Sequence, residues 1–281
     1  MWLVLSLLAV LMFTSQNLLM RVLAVKSNNP RTFSFIYNVW GSLFALIYYV
    51  IERPSLSDIT KLSWVKILLI IGAALGYGLY ERTHFVARKQ LDASTTAVIF
   101  RLDPVISFAG AILFLHEPLT ITKLLGALVL IGSSLIVIHK NPHLQANRAV
   151  FIAIFSAAML GFAAVFDKPA SEGIPVALYS FAMWIFTLPI IAFPQMKLTQ
   201  LKTEFQVGGW KTALTAFLNV TGFILYLKAL SLADTSLVTP VTSTTGTLTV
   251  LAGIFILKET KYLGRKILAG ILMLIGVLLL K

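Results

Sequence analysis

Residues 92–117 read DASTTAVIFRLDPVISFAGAILFLHE, and residues 234–259 read DTSLVTPVTSTTGTLTVLAGIFILKE. Both runs open on an aspartate with a serine two places on, Asp92-Ala93-Ser94 and Asp234-Thr235-Ser236. Such side chains satisfy the orphan N–H groups of a helix start. Both runs close alike, on Leu115-His116-Glu117 and Leu257-Lys258-Glu259, so the matched positions lie 142 residues apart. After a two-residue slip the correspondence continues: Gly126 and Gly132 of LLGALVLIG answer Gly270 and Gly276 of LAGILMLIG. Paired glycines let neighbouring membrane helices approach closely. The chain is read as a duplication, with copies at residues 1–140 and 141–281.

Outward from these runs the whole chain is apolar. It is 58% hydrophobic and 12% charged over 281 residues, with a mean hydropathy of +0.89. An average soluble domain is about one-quarter charged. A chain this poor in polar side chains cannot cover a water-facing exterior, so lipid is its expected solvent. A spanning helix takes about 20 mostly apolar residues. Ten segments qualify: Trp2–Met20, Phe33–Ile51, Trp64–Tyr80, Ala93–Leu115, Leu124–Ile138, Ala149–Phe166, Val176–Phe193, Thr212–Leu230, Leu237–Leu257 and Leu263–Leu280. Asn28-Asn29-Pro30, Pro54, Asn141-Pro142, Gly173 and Gly208-Gly209 punctuate the short connections. The N-terminal run has no basic leader and no small-residue cleavage site, so it reads as a first span rather than a signal peptide. Hydrocarbon admits only closed backbone hydrogen bonding, so the expected fold is an all-α membrane protein of ten transmembrane helices. Five is odd, so the second copy enters from the opposite face. Inverted repeats of this kind are associated with alternating-access transporters.

Asp103-Pro104-Val105 in mid-helix, then Glu117, then the glycine-spaced fifth helix resemble the drug/metabolite transporter superfamily, specifically its EamA-type members with two five-helix repeats. The resemblance covers essentially the whole chain. It implies a metabolite transporter of the plasma (inner) membrane with both termini cytoplasmic. The second copy departs from the pattern: Pro240 lies nearer the helix start, and Gly246 takes the place of Pro104. A bend in the ninth helix is therefore expected nearer the membrane surface.

A charge at mid-span costs about 2.5–3.5 kcal/mol on insertion scales and belongs in the bundle interior or a wet cavity. Arg101 and Asp103 stand two residues apart, hence on different helix faces. Counted from the third connection, Glu81 lies within ~6 Å of the depth of Arg101, close enough for the two side chains to meet. Two readings stand. One is a buried pair locking helices three and four; the other is a site where Arg101 holds an anion and Glu81 or Asp103 a proton or cation. The second copy keeps neither charge of helix four, with Ser243 and Thr245 at the matching positions, which speaks for a site over a lock. The stretch 238–249, including Thr242 and Thr245, has six threonines and a serine. It is too polar to face lipid and is expected to wall a cavity opposite helix four. Asn17 in helix one, Tyr77 and His84 in helix three, Trp184 in helix seven, and Asn219 and Tyr226 in helix eight complete the candidate set. Each also has a plainer reading, as a tie between helices or an interfacial anchor. Glu117 and Glu259 read as solvated helix ends, and Asp167-Lys168-Pro169 as a helix terminus.

With no cysteine there are no disulfides or thiol chemistry, and the four histidines lack ligand spacing, so no metal is expected. No catalytic or phosphate-binding motif appears, so no enzyme and no cofactor are expected. The net charge of +12 is read as Lys and Arg at the membrane surface, not as a nucleic-acid face. These features predict a secondary transporter, an exporter, of a small polar or zwitterionic metabolite, working by alternating access. Its partners would be that small-molecule substrate, membrane lipids and a proton or cation as coupling ion, with the protein a monomer or homodimer. The alternative is a lipid-linked headgroup flippase or a non-transporting membrane scaffold. On the end holding both termini fall Arg53, Lys61, Lys66, Lys123, Lys168, Lys228 and Lys281; every other basic residue except Arg101 falls on the opposite end. That bias would put the termini outside, against the resemblance.

Overall fold

The computed structural model describes residues 1–53, 63–115, 120–139, 147–171, 173–230, 232 and 235–279. Their helices are α1 (Trp2–Lys26), α2 (Pro30–Glu52), α3 (Trp64–Gln90), α4 (Ala93–Phe100), α5 (Asp103–Leu115) and α6 (Ile121–His139), followed by α7 (Arg148–Ser171), α8 (Val176–Ala192), α9 (Leu198–Leu230), α10 (Thr235–Phe255) and α11 (Leu263–Leu279). Among the described residues, six runs suit a membrane crossing by length and composition: Trp2–Lys26, Pro30–Glu52, Trp64–Gln90, Ala93–Phe114, Arg148–Phe166 and Leu198–Ala229. Ile121–Ile136, Val176–Ala192 and Thr244–Phe255 are shorter apolar helices. Pro54, Glu117, Asn141-Pro142 and Asp234 lie outside the described residues, as do the side chains of Pro104, Asp167, Lys168, Pro240 and Ser243.

Local sequence sets the helix ends. Asn29 caps α2 by accepting from the N–H of Thr32 at 3.2 Å, and Pro30 occupies the first turn, where its missing N–H costs nothing. Ser63 caps α3 through the N–H of Lys66 at 3.3 Å. The fourth span differs from the single helix expected over Ala93–Leu115. Arg101 and Leu102 donate to Val98 O and Ile99 O, each at 3.1 Å, a tight turn that separates α4 from α5. Pro104 has no N–H to continue the ladder, but is well placed in the first turn of a new helix. The ninth span expected from the sequence, by contrast, is a single helix, α10, from Thr235 to Phe255. Gly209, with φ 51° and ψ −146°, breaks α9; a helical run starts upstream of it, at Leu198 rather than Thr212.

The helices pair across the two copies. Counterparts meet as α6 with α11, α2 with α8 and α4 with α10. The other contacts come in matching sets: α3 with α7 and α9 with α1, then α3 with α8 and α9 with α2. Counterparts run in opposite directions, since α10 ends beside the start of α4. Small residues permit the close approach. A Cβ on Gly76 would lie 2.9 Å from that of Ala163, and one on Gly276 would lie 3.1 Å from Gly126 O. Gly132 serves no such contact, with nothing within 4 Å of its would-be Cβ. Outer faces carry exposed apolar side chains such as Leu68, Phe151 and Ile271, a surface fit for lipid.

Basic residues gather at the end where α1 finishes and α4 begins, here the α4 face. Arg21 donates to Lys89 O at 2.8 Å and to Arg88 O; Lys89 donates to Ser27 O at 2.6 Å. Arg31 reaches Ile191 O at 2.8 Å, Ala192 O at 2.6 Å and Pro194 O. Arg82 reaches Ile190 O at 3.0 Å and Phe193 O. These side chains satisfy carbonyls that helix C-termini leave unpaired. Part of the loop charge bias therefore has a structural purpose independent of orientation.

Candidate functional site

Where the two copies meet, the helices line a cavity of about 500 Å³. Asn17 faces it from α1, and Tyr77 and Glu81 from α3. Arg101 and Asp103 flank the α4–α5 break and line it too, as do Trp184 of α8, Asn219 and Tyr226 of α9, and Thr242 and Thr245 of α10. Of the residues singled out in the sequence, His84 alone stands back from the wall. It is fully buried behind Glu81. The apolar wall, notably Phe13, Leu160, Ala164 and Phe223, carries no sequence signal, because such residues look like those that face lipid.

Glu81 does not pair with Arg101 as the depth count suggested. Its Oε2 accepts from Asn38 Nδ2 at 2.9 Å and lies 3.0 Å from His84 Nε2, while Ser34 donates to its carbonyl. Depth was matched, but azimuth was not: three residues along a helix return to the same face, which turns Glu81 towards His84 and α2. The chain of contacts continues along that face. Arg88 Nε donates to His84 Nδ1 at 3.2 Å, so the imidazole proton sits on Nε2 and is donated to Glu81. Arg88 Nη2 donates to Asn17 Oδ1 at 2.9 Å, and its guanidinium lies 5.0 Å over the ring of Phe100. Asn38 is itself fixed by Thr187, whose hydroxyl donates to Asn38 Oδ1 at 3.2 Å.

Arg101 occupies a different setting. It lies against α10 at Gly246, where a Cβ would come within 2.8 Å of its Nε. The glycine that replaces Pro104 in the second copy thus makes room for the arginine of the first. Among the described residues no ion pair engages Arg101. Asp103 Oδ1 and Thr245 Oγ1 are buried without a hydrogen-bond partner. These two hold equivalent positions in the copies, 142 residues apart, and both belong to the cavity wall. On the far wall, Asn219 donates to Tyr37 OH at 2.6 Å, and the rings of Tyr37 and Trp184 meet edge-on at 5.6 Å.

A family model for EamA-like transporters matches the chain twice, over residues 1–139 and 147–281. No curated protein matches it. Eighteen solved chains do. One, titled "Crystal structure of protein", aligns with a TM-score of 0.62 at 13% identity, covering 99% of this chain and 95% of its own. At that identity the likeness speaks for the fold alone.

Proposed function

The chain belongs to the EamA-like transporter family, and from that premise we propose that it is a secondary transporter of a small polar or zwitterionic metabolite. It is a ten-span protein of the plasma (inner) membrane. Inverted halves, residues 1–140 and 141–281, rock about the central cavity and export the substrate by alternating access. It has no catalytic activity, and its termini are cytoplasmic.

One observation carries this reading. Asp103 Oδ1 and Thr245 Oγ1 are buried, unpartnered and pseudo-symmetric on one cavity wall. An unsatisfied buried polar atom costs about 1–3 kcal/mol, a cost that a bound donor such as an ammonium or hydroxyl group removes. Arg101 offers the complementary cation for a carboxylate or phosphate. Trp184 and the phenylalanines pack on the apolar remainder. Glu81, held by neutral His84 and Asn38, is the group that carries a coupling proton or cation.

A thermal-shift screen of the purified protein against a metabolite panel, beside Arg101→Ala, tests the assignment. A ligand at a hundred times its dissociation constant stabilises by about 2.7 kcal/mol. A hit abolished by Arg101→Ala supports the anchor, and the same hit should drive counterflow in proteoliposomes. Hits that survive in the variant would remove Arg101 from the site. Stabilisation of both proteins by lipids alone would favour the flippase or scaffold.

A further inference from the structure

At the α4 face, α10 ends in a fold-back that delivers a carboxylate to the other copy. Lys258 takes a left-handed backbone, φ 57°, and the N–H of Glu259 returns to Gly253 O at 3.1 Å. Glu259 then accepts from Ala93 N at 2.7 Å, Ser94 N at 2.9 Å and Ser94 Oγ at 2.5 Å, which are the first donors of α4. A Cβ on Gly253 would lie 2.9 Å from Glu259 Oε2 and 3.3 Å from Ser94 N, so a methyl there would crowd the carboxylate in this seat. Lys266 of α11 completes it, with Nζ 2.8 Å from Asp92 Oδ2 and 3.7 Å from Glu259 Oε2. The side chains of Glu259 and Lys266 are 8% and 4% exposed, so Glu259 is not the solvated helix end its sequence suggested.

We propose that Glu259, seated on the N-terminus of α4, is the latch that keeps the central cavity shut on the α4 face, and that transport requires its release. The inference rests on the alternating-access reading. Every strong bond of the carboxylate crosses from one copy to the other, so the halves cannot part here while it holds. The element it grips is a short lever. α4 has eight residues, latched at its outer end and hinged at its inner end by the Arg101–Leu102 turn. At 1.5 Å per residue the two ends are roughly 12 Å apart. A substrate drawn to Arg101 and Asp103 therefore acts on the hinge of the helix whose far end is latched. Beneath the latch, Leu91, Ile99, Val250, Ile254 and Met273 form one buried cluster drawn from both copies, which water must enter once the latch opens. In the sequence, Glu117 matches Glu259 and Thr235-Ser236 match Ala93-Ser94, although Glu117 lies outside the described residues.

The chain has no cysteine, so one introduced thiol is the sole target for a maleimide. Ser107→Cys places it on the cavity wall. A membrane-impermeant maleimide is applied from each face in turn, using right-side-out and inside-out vesicles. With the latch intact, labelling should be slow from the α4 face and faster from the other. Glu259→Gln, and separately Gly253→Ala, which displaces the carboxylate while keeping every charge, should each raise the α4-face rate by about tenfold. The proposal is overturned if both variants are monodisperse and thermally folded yet label from the α4 face at the original rate. It is also overturned if the thiol is already labelled equally from both faces with the latch intact. A thiol that no variant exposes to either face would sink the alternating-access reading along with the latch.

Discussion

At the residue scale, Arg88 and Arg101 sit in different surroundings, and burial chemistry separates them. Arg88 is tied to His84 and Asn17 and lies over Phe100, so its removal leaves His84 Nδ1 and Asn17 Oδ1 without their donor in a low-dielectric interior. Loss of one partner from a buried charge network costs about 3–5 kcal/mol. Arg101, engaged by no ion pair among the described residues, protrudes into the cavity. Its truncation should cost less than about 1 kcal/mol, as at sites without structural partners. Melting curves of the two alanine variants in detergent check this order: Arg88→Ala should melt far below the parent and Arg101→Ala beside it. Equal losses would make Arg101 structural. The polar wall was legible in the sequence because polar side chains are costly in lipid and must cluster where they are satisfied. The partner of Glu81 was not, because depth along a helix can be counted from the sequence whereas the face a side chain presents to another helix depends on packing.

At the scale of elements, proline and glycine have different effects at matched positions. Pro104 ends one ladder and starts the next, giving the hinge before α5; Gly246 leaves α10 whole and opens space for Arg101. Two glycines test how far position decides the outcome. Gly132 sits within helix α6 with nothing within 4 Å of a Cβ, so Gly132→Ala should stabilise by about 0.5–1 kcal/mol through lost chain entropy. Gly209 has equally open space but holds φ 51°, a conformation costly for any side chain. Gly209→Ala should therefore destabilise by about 1–3 kcal/mol. Opposite shifts in melting temperature are expected; shifts of one sign would mean the α9 break is not held as described. Helix type and most of the span limits were legible from hydropathy. The split of the fourth span and the run before Gly209 were not, since apolar composition alone does not register a turn of two residues.

At the scale of the whole molecule, the duplication raises the question of whether either copy is a folding unit. The helix contacts say that neither is. α3 packs on α7 and α8, α9 on α1 and α2, and α6 on α11, so each copy buries its helices chiefly against the other. The latch adds a polar tie of the same kind, as does Glu204 of α9, which accepts from Asn28 N at 2.8 Å and Asn29 N at 2.6 Å to cap α2 from the opposite copy. A copy alone in the bilayer would face lipid with Glu81 and Arg88, or with the hydroxyls of α10, groups that require a protein interior. Severing the chain between the two family matches, within residues 140–146, should thus leave a functional pair but two unstable parts. Co-expressed halves are expected to copurify through a tag on one of them and to melt cooperatively near the intact protein. Each half expressed singly is expected to be degraded or to aggregate on size-exclusion chromatography. A monodisperse single half with its own cooperative melt would show that the cross-copy contacts are secondary. The transport movement would then be sought as rigid-body docking of two independent domains rather than rocking within one shared core.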